Sequence, residues 1–442
     1  MRRYIIIGAG AAGMAAAEAI RRQGPAGNLL LVSDDPEGYY SRPGLAYYLT
    51  GELTERQLFP MSEADFRRLN VQRLNARVVR IHSHSHQVEL QDGARLPYDR
   101  LLVATGATAA RVQAPGVGLE GVVKLDNLRD ARRILHLARK ARSAVVVGGG
   151  ITALEIVEGL VARKVKTHYL LRGERYWSNV LDETESKIIE RRLQEEGVHI
   201  HYHTELAEIQ GKKGRVAGIC TKDGRRIECE LVAIAIGVLA RKVLAEASEL
   251  QCERGILVDE TLQTSAEDVF AAGDAAQVFD PFSGKSVLDS LWGPAREQGT
   301  VAGLNMAGQS KPYRKPMAFN VTRLANLTTT IIGTVGRGDD QDLAGIARGD
   351  SETWRQLPDA IAAQANFDVN RLRILVSTRT LIGAIVMGDQ TLSLPLQHLV
   401  VRKVDISAIR ELLLRPGAPV ADLIVDFWSE YTRKGSYAAQ QP

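Results

Sequence analysis

Two strand, glycine-turn and helix motifs about 140 residues apart predict an α/β protein, and a change of sequence texture near residue 313 predicts a further domain. We expect two Rossmann-like three-layer domains and a C-terminal α+β domain of the interface type. The first domain is predicted to be discontinuous, with residues 1–115 and 246–312, because its strand and helix pattern resumes after the second motif. The second domain is predicted over residues 116–245, and the C-terminal domain over residues 313–442.

Length and composition restrict the class of protein. The chain has 442 residues, of which 45% are hydrophobic and 24% are charged, and its net charge is +4. These values are typical of a globular protein with two or three domains. No apolar run is long enough to span a bilayer, and no dense basic run alternates with aromatic residues. We therefore expect no membrane span and no nucleic-acid partner.

The start of the chain and its cysteines indicate a compartment. Arg2 and Arg3 lead directly into a strand and a glycine turn, and not into the apolar region of a signal peptide, so we expect no export signal. Cys220, Cys229 and Cys252 form no CxxC pair and no disulfide framework. Both features favour a reducing cytoplasm.

The first motif begins with the strand-forming residues Tyr4–Ile7 and continues with Gly8, Gly10 and Gly13. In such a motif, Gly8 permits a tight turn, Gly10 lets a pyrophosphate approach the backbone, and Gly13 lets the next helix pack against the strand. The amides and the dipole at the start of that helix then face the phosphates. Because strand, turn and helix follow in this order, we interpret the motif as a nucleotide site and not as an ordinary glycine turn.

An acidic end to the next strand supports this interpretation. Leu29–Val32 is followed by Asp34 and Asp35, about twenty residues beyond the glycine turn, where a carboxylate meets a ribose hydroxyl. Arg42 and Pro43 follow in a tyrosine-rich loop. Because a guanidinium matches the geometry of a phosphate, we expect Arg42 to contact a phosphate, with a plain surface charge as the alternative.

Two groups of alternating histidines are His82, His84 and His86, and His199, His201 and His203. On a strand, each group would share one face and could bind a metal. No fourth ligand is apparent in the sequence. We therefore expect these histidines at the edges of small solvent-facing sheets, and we predict no metal site.

The second motif repeats the first. Ala144–Val147 reads as a strand, Gly148 and Gly150 as the turn, and Ala153 takes the place of the third glycine, which is a permitted variant. Residues 110–121, before this part of the chain, have the composition of a linker. One chain is therefore predicted to hold two dinucleotide sites.

The strand after the second motif, Thr167–Leu171, ends without an acidic residue and is followed by Arg172. A carboxylate at this place selects the ribose of NAD, whereas an arginine accepts the 2′-phosphate of NADP. Arg172 therefore favours NADPH slightly over NADH. The alternative is that Arg172 merely caps a surface loop.

The chain then returns to the first domain. Val258–Thr264 is polar and strand-like, and Val269–Ala272 has the composition of a buried strand that leads to Gly273 and Asp274. Asp274 either accepts a hydrogen bond from a cofactor hydroxyl or acts as a helix N-cap. Trp292, near the start of the next predicted helix, either belongs to the core or borders a cofactor ring.

The C-terminal segment contains the predicted strands Ile331–Gly333, Arg371–Val376 and Leu381–Met387, followed by three short helical stretches. It shows no polar constellation that looks catalytic. We expect it to pack against the rest of the chain or against a second copy.

The order of the first glycine turn, Ala104–Gly106, the second glycine turn and Ala272–Asp274 resembles that of the pyridine nucleotide-disulfide oxidoreductase superfamily over essentially the whole chain. Members hold FAD in a discontinuous domain, insert an NAD(P)H domain, and end with an interface domain that often dimerises. The resemblance therefore implies FAD and NAD(P)H as cofactors, and it leaves a homodimer open.

The resemblance also implies which residues hold each cofactor. The FAD set is Gly8, Gly10, Ala11, Ala12, Gly13, Asp34, Asp35, Arg42, Pro43, Thr105, Gly106, Gly273, Asp274 and Trp292. The NAD(P)H set is Gly148, Gly150, Ile151, Glu155, Arg172 and Gly237. In the second set, Glu155 would lie near the carboxamide and Ile151 would cover the flavin face. We assign no catalytic residue and no metal ligand.

Within the superfamily, the sequence resembles rubredoxin reductases and the flavin part of the nitrite reductase large subunit through Ser41–Leu45 and Leu381–Asp389. Disulfide reductases carry redox cysteines near the flavin, but the nearest equivalent here is Pro43, so we expect no thiol relay. We expect no counterpart of the iron-sulfur and siroheme modules of nitrite reductase. Rubredoxin reductase-like proteins often have a lysine where this chain has Tyr47, which leaves the acceptor open.

These inferences predict an FAD-dependent NAD(P)H oxidoreductase in which a hydride passes directly from nicotinamide C4 to flavin N5. Electrons would then pass to a small iron-sulfur protein of the rubredoxin or ferredoxin type, or to a small-molecule oxidant. One alternative is a peroxide-forming NAD(P)H oxidase. The others are a redox-sensing flavoprotein and the flavin subunit of a larger reductase.

Overall fold

The computed structural model describes residues 2–24, 27–335, 361–367 and 370–438. Its contacts divide the chain into two compact units. Within the described ranges, the first unit contains residues 2–172 and 197–315, and the second contains residues 173–196, 316–335 and those from 361 onward. The segment 173–196, which we predicted within the second domain, thus groups with the C-terminal residues. The predicted division into residues 1–115, 116–245, 246–312 and 313–442 stays a prediction.

The first part of the chain forms β1 Arg3–Ile7, α1 Ala11–Gln23, β2 Asn28–Ser33, α2 Gly44–Thr50, a 3₁₀-helix at Glu55–Leu58, α3 Glu63–Arg68, β3 Gln72–Asn75, β4 Val78–His82, β5 Gln87–Leu90, β6 Arg95–Pro97, β7 Arg100–Val103, β8 Ala107–Ala109 and β9 Val122–Val123. The middle forms α4 Leu128–Ala138, β10 Ser143–Val147, α5 Ile151–Ala162, β11 Lys166–Leu170, α6 Glu183–Glu195, β12 His199–His201, β13 Leu206–Lys212, β14 Arg215–Thr221, β15 Arg226–Glu228, β16 Leu231–Ile234, β17 Val238–Ala240 and α7 Val243–Ala247. The remainder forms β18 Ile256–Leu257, β19 Val269–Ala271, a 3₁₀-helix at Gly273–Ala275, β20 Ala276–Asp280, β21 Lys285–Leu288, α8 Trp292–Met306, β22 Phe319–Leu324, β23 Leu327–Gly333, β24 Ile361–Phe367, β25 Asn370–Val376, β26 Leu381–Met387, α9 Ser393–Val401, α10 Ser407–Leu413 and α11 Val420–Ala438.

Two five-stranded parallel sheets form the framework of the first unit. Their strand orders are β19-β7-β1-β2-β3 and β12-β11-β10-β16-β9. In each sheet the central strand, β1 or β10, leads through a glycine turn into a helix, α1 or α5. Because parallel neighbours need crossover connections, this arrangement confirms the predicted α/β class with two Rossmann-like sheets.

Close helix packing joins the two parts of the chain that build the first sheet. A Cβ at Gly299 of α8 would lie 2.1 Å from the carbonyl oxygen of Ala12 in α1, and a Cβ at Gly303 would lie 2.5 Å from that of Ala16. The two helices are therefore in backbone contact, which only residues without a side chain permit. This contact places the returning chain beside the first glycine turn.

A short antiparallel ladder joins the two connections between the parallel sheets. Strand β8 follows β7 of the first sheet, and β17 follows β16 of the second. They pair through Ala107 with Ala240, and Ala109 with Val238. The chain segments that leave and re-enter the first sheet are thus held side by side.

The second unit contains a five-stranded antiparallel sheet of order β22-β23-β26-β25-β24 and the helices α9, α10 and α11. Its apolar core includes Ile332, Leu372, Val386, Leu396 and Leu399. The composition of strands and helices agrees with the α+β character that the sequence predicts for the C-terminal part.

A buried charge cluster lies inside the second unit, formed by Asp182, Glu185, Arg371 and Arg373. Arg371 Nη2 is 2.7 Å from Asp182 Oδ2, and Arg373 donates to both carboxylate oxygens of Glu185 at 2.8 and 3.0 Å. Asp182 also caps α6 by accepting the amide hydrogen of Glu185 at 2.8 Å. Burial opposes ionisation of Asp182, but the Glu185 amide and the Arg371 guanidinium outweigh it and lower the pKa of Asp182.

One local prediction of secondary structure is wrong. Val258–Thr264 is not a strand, because β18 ends at Leu257 and the Asp259 carboxylate accepts the amide hydrogens of Thr261 and Gln263 at 2.8 and 3.0 Å. These local bonds stabilise a turn and compete with strand pairing.

The first histidine group does not share a strand face. Strand β4 ends at His82, and His84 and His86 lie in the following turn, where His86 has a φ of +51°. In the second group, His201 is 3.0 Å from the ring nitrogen of His168 on the neighbouring strand. Burial and the neighbouring imidazoles lower the pKa of His168 to about 4. In the part of the chain that the structure describes, no cluster of three potential ligands could hold a metal ion.

None of the described helices is sufficiently long and apolar to cross a membrane.

Candidate functional site

The first glycine turn has two packed glycines and one open glycine. Gly8 has a φ of +113°, and a Cβ there would lie 2.1 Å from the carbonyl oxygen of Ala104. A Cβ at Gly13 would lie 2.0 Å from the carbonyl oxygen of Gly8, whereas a Cβ at Gly10 would meet no heavy atom within 4 Å. Gly8 and Gly13 are thus required by the turn and the packing, and Gly10 leaves open space before the N-terminus of α1.

The returning chain adds Gly273 and Asp274 to this turn. A Cβ at Gly273 would lie 3.0 Å from the Cβ of Ala12, which follows Ala11 at the start of α1. The Gly273 amide donates to Oε1 of the fully buried Gln298 at 2.8 Å, which fixes the loop. Asp274 is half-buried inside the short 3₁₀-helix and does not occupy its N-cap position. The N-cap alternative for Asp274 is therefore wrong.

The two acidic residues after β2 have different partners. Asp34 pairs with Arg77 at 2.9 Å and remains partly exposed. Asp35 accepts from the Tyr40 hydroxyl at 3.3 Å and lies 3.7 Å from the Arg42 guanidinium. Burial raises the pKa of Tyr40 to about 12, so its hydroxyl stays protonated and acts as a donor.

Arg42 links the loop after β2 to the segment before α4. Its Nη1 donates to the carbonyl oxygen of Asp126 at 2.5 Å, and its guanidinium lies 5.4 Å from the centre of the Tyr40 ring. Pro43 is exposed and precedes α2 as its N-cap residue. Arg42 is thus held in place at one end while 44% of its side chain stays exposed.

Thr105 and Gly106 follow β7 and are tied to the end of β17. The Thr105 hydroxyl donates to the carbonyl oxygen of Arg241 at 2.8 Å, and the Arg241 amide donates to the carbonyl oxygen of Gly106 at 2.8 Å. Both residues therefore lie where the ladder of β8 and β17 meets the first sheet.

Asp126 is the centre of a polar network at the same place. Its carboxylate oxygen Oδ2 accepts from the Thr108 hydroxyl at 2.8 Å, from Lys124 at 3.1 Å and from Arg241 at 3.1 Å. Its own amide donates to Asp130 at 3.0 Å. Burial opposes ionisation, but the cations and the hydroxyl outweigh it and lower the pKa of Asp126.

The second glycine turn repeats the geometry of the first. Gly148 has a φ of +143°, and a Cβ there would lie 2.1 Å from the carbonyl oxygen of Ala235. A Cβ at Gly150 would meet no heavy atom within 4 Å. Ala153, in place of the third glycine, is completely buried. The N-terminus of α5 therefore faces open space as α1 does.

The remaining residues of the predicted NAD(P)H set lie around this turn. Ile151 and Glu155 are one helical turn apart on α5, Ile151 buried and Glu155 half-buried. Arg172 is exposed two residues after the end of β11. Gly237 has a φ of +116° and lies between β16 and β17.

Trp292 opens α8 and is 46% exposed, so it is not a core residue. The Arg296 guanidinium lies 5.1 Å from the centre of its ring and also pairs with Glu18 of α1 at 3.2 Å. The core alternative for Trp292 is therefore wrong.

Each predicted set is brought together at one edge of one sheet. Gly8, Asp34, Thr105 and Gly273 follow the carboxyl ends of β1, β2, β7 and β19, and Gly148, Arg172 and Gly237 follow those of β10, β11 and β16. In open parallel sheets, ligands bind at these ends. Each sheet therefore has one open space at a helix N-terminus, the kind of position at which proteins bind phosphate groups.

The cysteines lie apart from these edges. Cys229 lies two residues before Leu231, where β16 begins. Cys220 is on β14, and Cys252 follows α7. Burial raises the pKa of the Cys229 thiol to about 12 and also raises that of Cys252. Thiols with raised pKa values are poor nucleophiles at neutral pH.

Sequence reasoning missed Asp126, Arg241 and Arg77. Their partners are distant in sequence, for example 115 residues between Asp126 and Arg241, and no short motif marks such a pair.

Comparison with known proteins gives a consistent match. The model of the family described as pyridine nucleotide-disulphide oxidoreductase matches residues 2–299. A rubredoxin-NAD(+) reductase of Pseudomonas putida is 29% identical over 71% of this chain and 82% of its own length. The ferredoxin–NAD(+) reductase component of the biphenyl dioxygenase system of Paraburkholderia xenovorans is 35% identical over 61% of this chain and 66% of its own length.

Among solved structures, the fold is similar to that of the covalent putidaredoxin reductase–putidaredoxin complex. The TM-score is 0.83 at 23% identity, and the match covers 96% of this chain and 98% of the other.

Proposed function

The chain belongs to the pyridine nucleotide-disulphide oxidoreductase family, and from this premise we propose that it is an FAD-dependent NAD(P)H oxidoreductase that passes electrons to a small iron-sulfur protein of the rubredoxin or ferredoxin type. The observation that carries the proposal is the pair of open glycine cradles, at Gly10 and Gly150, on two parallel sheets of one chain. Two dinucleotides in one chain suit an enzyme that moves electrons from one to the other.

When bound, FAD would supply the acceptor for a hydride from nicotinamide C4 and the capacity to pass the two electrons on singly to a one-electron carrier. The chain's own residues bind and orient. In this proposal the amides at Gly10 and the Arg42 guanidinium hold the FAD pyrophosphate. Asp34 or Asp35 accepts from the ribose, and Asp274 accepts from the polyol.

The second cradle orients NAD(P)H in the same way. The amides that follow Gly150 hold its pyrophosphate, Glu155 accepts from the carboxamide, and Ile151 packs against the flavin face. Arg172, exposed after β11, is our proposed partner for a 2′-phosphate, whereas the names of the two relatives specify NAD(+). We therefore propose NAD(P)H as the donor and leave the choice between the two to measurement.

No side chain needs to form a covalent bond with substrate. Cys220 lies on β14, Cys229 precedes β16 and Cys252 follows α7, and by the family resemblance Pro43 is the nearest equivalent of the redox cysteine of disulfide reductases. Electrons therefore leave the flavin directly, and Trp292, exposed on the returning helix, is our proposed border of the flavin ring.

The test is anaerobic stopped-flow absorbance with the purified holoprotein. We expect NADH or NADPH to bleach the flavin rapidly, and added rubredoxin or ferredoxin to restore it at a comparable rate. If the flavin is bleached rapidly, but only oxygen admitted afterwards reoxidises it, with peroxide as the product, the protein is an oxidase. Slow bleaching with a persistent charge-transfer band would indicate a sensor, and absence of flavin would contradict the proposal.

We also propose a cytoplasmic location, supported by three cysteines that form no disulfide, and a homodimer formed by the second unit. Cell fractionation and analytical ultracentrifugation test these two statements.

A further inference from the structure

Asp126 is hydrogen-bonded to three separate segments of the first unit: β8, the end of β17 and the loop after β2. Its carboxylate, 8% exposed, accepts from Thr108 on β8 and from Arg241 just after β17. Its carbonyl oxygen accepts from Arg42 in the loop after β2. We call Asp126, Thr108 and Arg241 the clasp.

The clasp lies where the two nucleotide sites must be held in register. Strands β8 and β17 are the two connections between the parallel sheets, and the clasp bonds one residue at each. Arg241 is in turn bonded through its backbone to Thr105 and Gly106 of the predicted FAD set. Arg42, Thr105 and Gly106 are bonded to the backbone of Asp126 and Arg241, so loss of the carboxylate reaches them by releasing the two backbone segments that it anchors.

We propose that Asp126 is a positioning residue for hydride transfer, which holds the two nucleotide-binding halves of the first unit in register and orients Arg42. This inference rests on the proposed function. Asp126 touches neither predicted cradle, so it acts through Arg241 and Arg42 and is not a catalytic residue.

The charge of Asp126 is what the clasp needs. Lys124 has a second carboxylate, Asp130, at 2.8 Å, whereas the side chain of Arg241 has Asp126 as its ion-pair partner within the described residues. The Nε atom of Arg241 is buried and has no hydrogen-bond acceptor among the described residues. Asn at position 126 keeps the shape and one acceptor oxygen but removes the anion, so a neutral oxygen replaces the charged acceptor of Thr108, Lys124 and Arg241.

The expected effect follows from the geometry of hydride transfer. The donor and acceptor atoms must approach to near-contact, and a displacement of about 1 Å can cost about 100-fold in rate. We expect Asp126→Asn to lower the limiting rate of flavin reduction at saturating NAD(P)H by about tenfold or more, because we expect it to displace the two reacting atoms by less than about 1 Å. FAD content and the dissociation constant of the nucleotide should change little, because the cradles remain.

The matched control is Asp130→Asn, which removes the other carboxylate partner of Lys124 but keeps an amide oxygen that can accept from the Asp126 backbone amide, so the side-chain bonds among Asp126, Thr108 and Arg241 stay in place. Flavin absorbance, thermal unfolding and stopped-flow reduction are measured for the wild type, both variants, Arg241→Gln and the Asp126→Asn/Arg241→Gln double variant. Asp130→Asn should reduce like the wild type. Arg241→Gln should match Asp126→Asn, and the double variant should be no slower than either, because both changes open one clasp.

The outcomes separate this inference from the proposed function. If the wild type is not reduced by either nucleotide, the proposed function fails first. If the wild type is reduced and Asp126→Asn keeps its limiting rate, or only weakens nucleotide binding, the positioning role is wrong. If Asp126→Asn does not fold, Arg241→Gln decides in the same way.

Discussion

Replacement of Arg373 by methionine tests the energetic importance of the buried charge cluster. The Arg373 side chain is 4% exposed and donates to both oxygens of Glu185, to the Val180 carbonyl at 2.9 Å and to the Val335 carbonyl at 2.6 Å. Methionine has similar bulk but makes none of these bonds. The Glu185 carboxylate, completely buried, would lose two charge-assisted bonds.

The magnitude follows from these contacts. Hydrogen bonds to charged groups contribute about 1.5–3 kcal/mol each, so two of them give roughly 3–6 kcal/mol. Removal of one partner of a buried ion pair costs about 3–5 kcal/mol in other proteins. The two values agree, and we expect Arg373→Met to lower the local stability of the second unit by about 3–5 kcal/mol.

The assay is hydrogen–deuterium exchange of the amides of α6, which reports the local free energy of opening without assuming a single unfolding step. Arg379→Met is the matched control, because Arg379 also pairs with a carboxylate, Asp405, but is 74% exposed. We expect that control to cost about 0–1 kcal/mol. Equal costs for the two variants would refute the argument from burial.

Four further predictions follow from the site and the cluster. Gly13→Ala should prevent correct folding, because its Cβ would lie 2.0 Å from the carbonyl oxygen of Gly8. Gly10→Ala should fold with a loss of stability of about 1 kcal/mol or less at the helix N-cap, and it should bind FAD more weakly. Circular dichroism and flavin titration distinguish the two variants. Arg172→Ala should lower kcat/KM for NADPH by about tenfold or more and leave NADH unchanged if Arg172 binds the 2′-phosphate; an unchanged ratio of the two would support the loop-cap alternative. Serine at all three cysteines should leave the rate of flavin reduction unchanged, and a large decrease would reveal a thiol step. The pKa of Asp182 is lower in the folded protein than its ordinary value of 3.8. The ionised carboxylate of Asp182 therefore stabilises the fold at pH values above 3.8, and this stabilisation should be lost as the pH falls through the lowered pKa. The Asp182→Asn variant should lack this pH-dependent loss of stability in acid unfolding.

The two nucleotide sheets were predictable because their signals are local. Strand, turn and helix follow one another within about twenty residues, and the need for glycine at Gly8 and Gly148 comes from a positive φ and a nearby carbonyl oxygen. Asp274 is marked in the sequence because it lies three residues after the end of a buried strand, and its role toward a cofactor stays a prediction. Only the three-dimensional structure could reject the N-cap alternative for Asp274 and the core alternative for Trp292.

Local competition limited the sequence reasoning elsewhere. At Val258–Thr264 a strand-like pattern is overridden by the Asp259 carboxylate, which bonds the amides of its own turn. The histidines at positions 82–86 alternate as on a strand, yet the strand ends at the first of them. Propensity alone did not reveal where side-chain bonds and turns interrupt the pattern.

The sequence by itself determined the fold class, the two glycine turns and the absence of a CxxC pair, because each is encoded by neighbouring residues. Tertiary structure alone decided that Asp126 meets Arg241 and Arg42, and that Arg371 meets Asp182 across 189 residues of chain. Such contacts depend on how distant elements pack and how far water is excluded from their charges, and a linear pattern carries neither quantity.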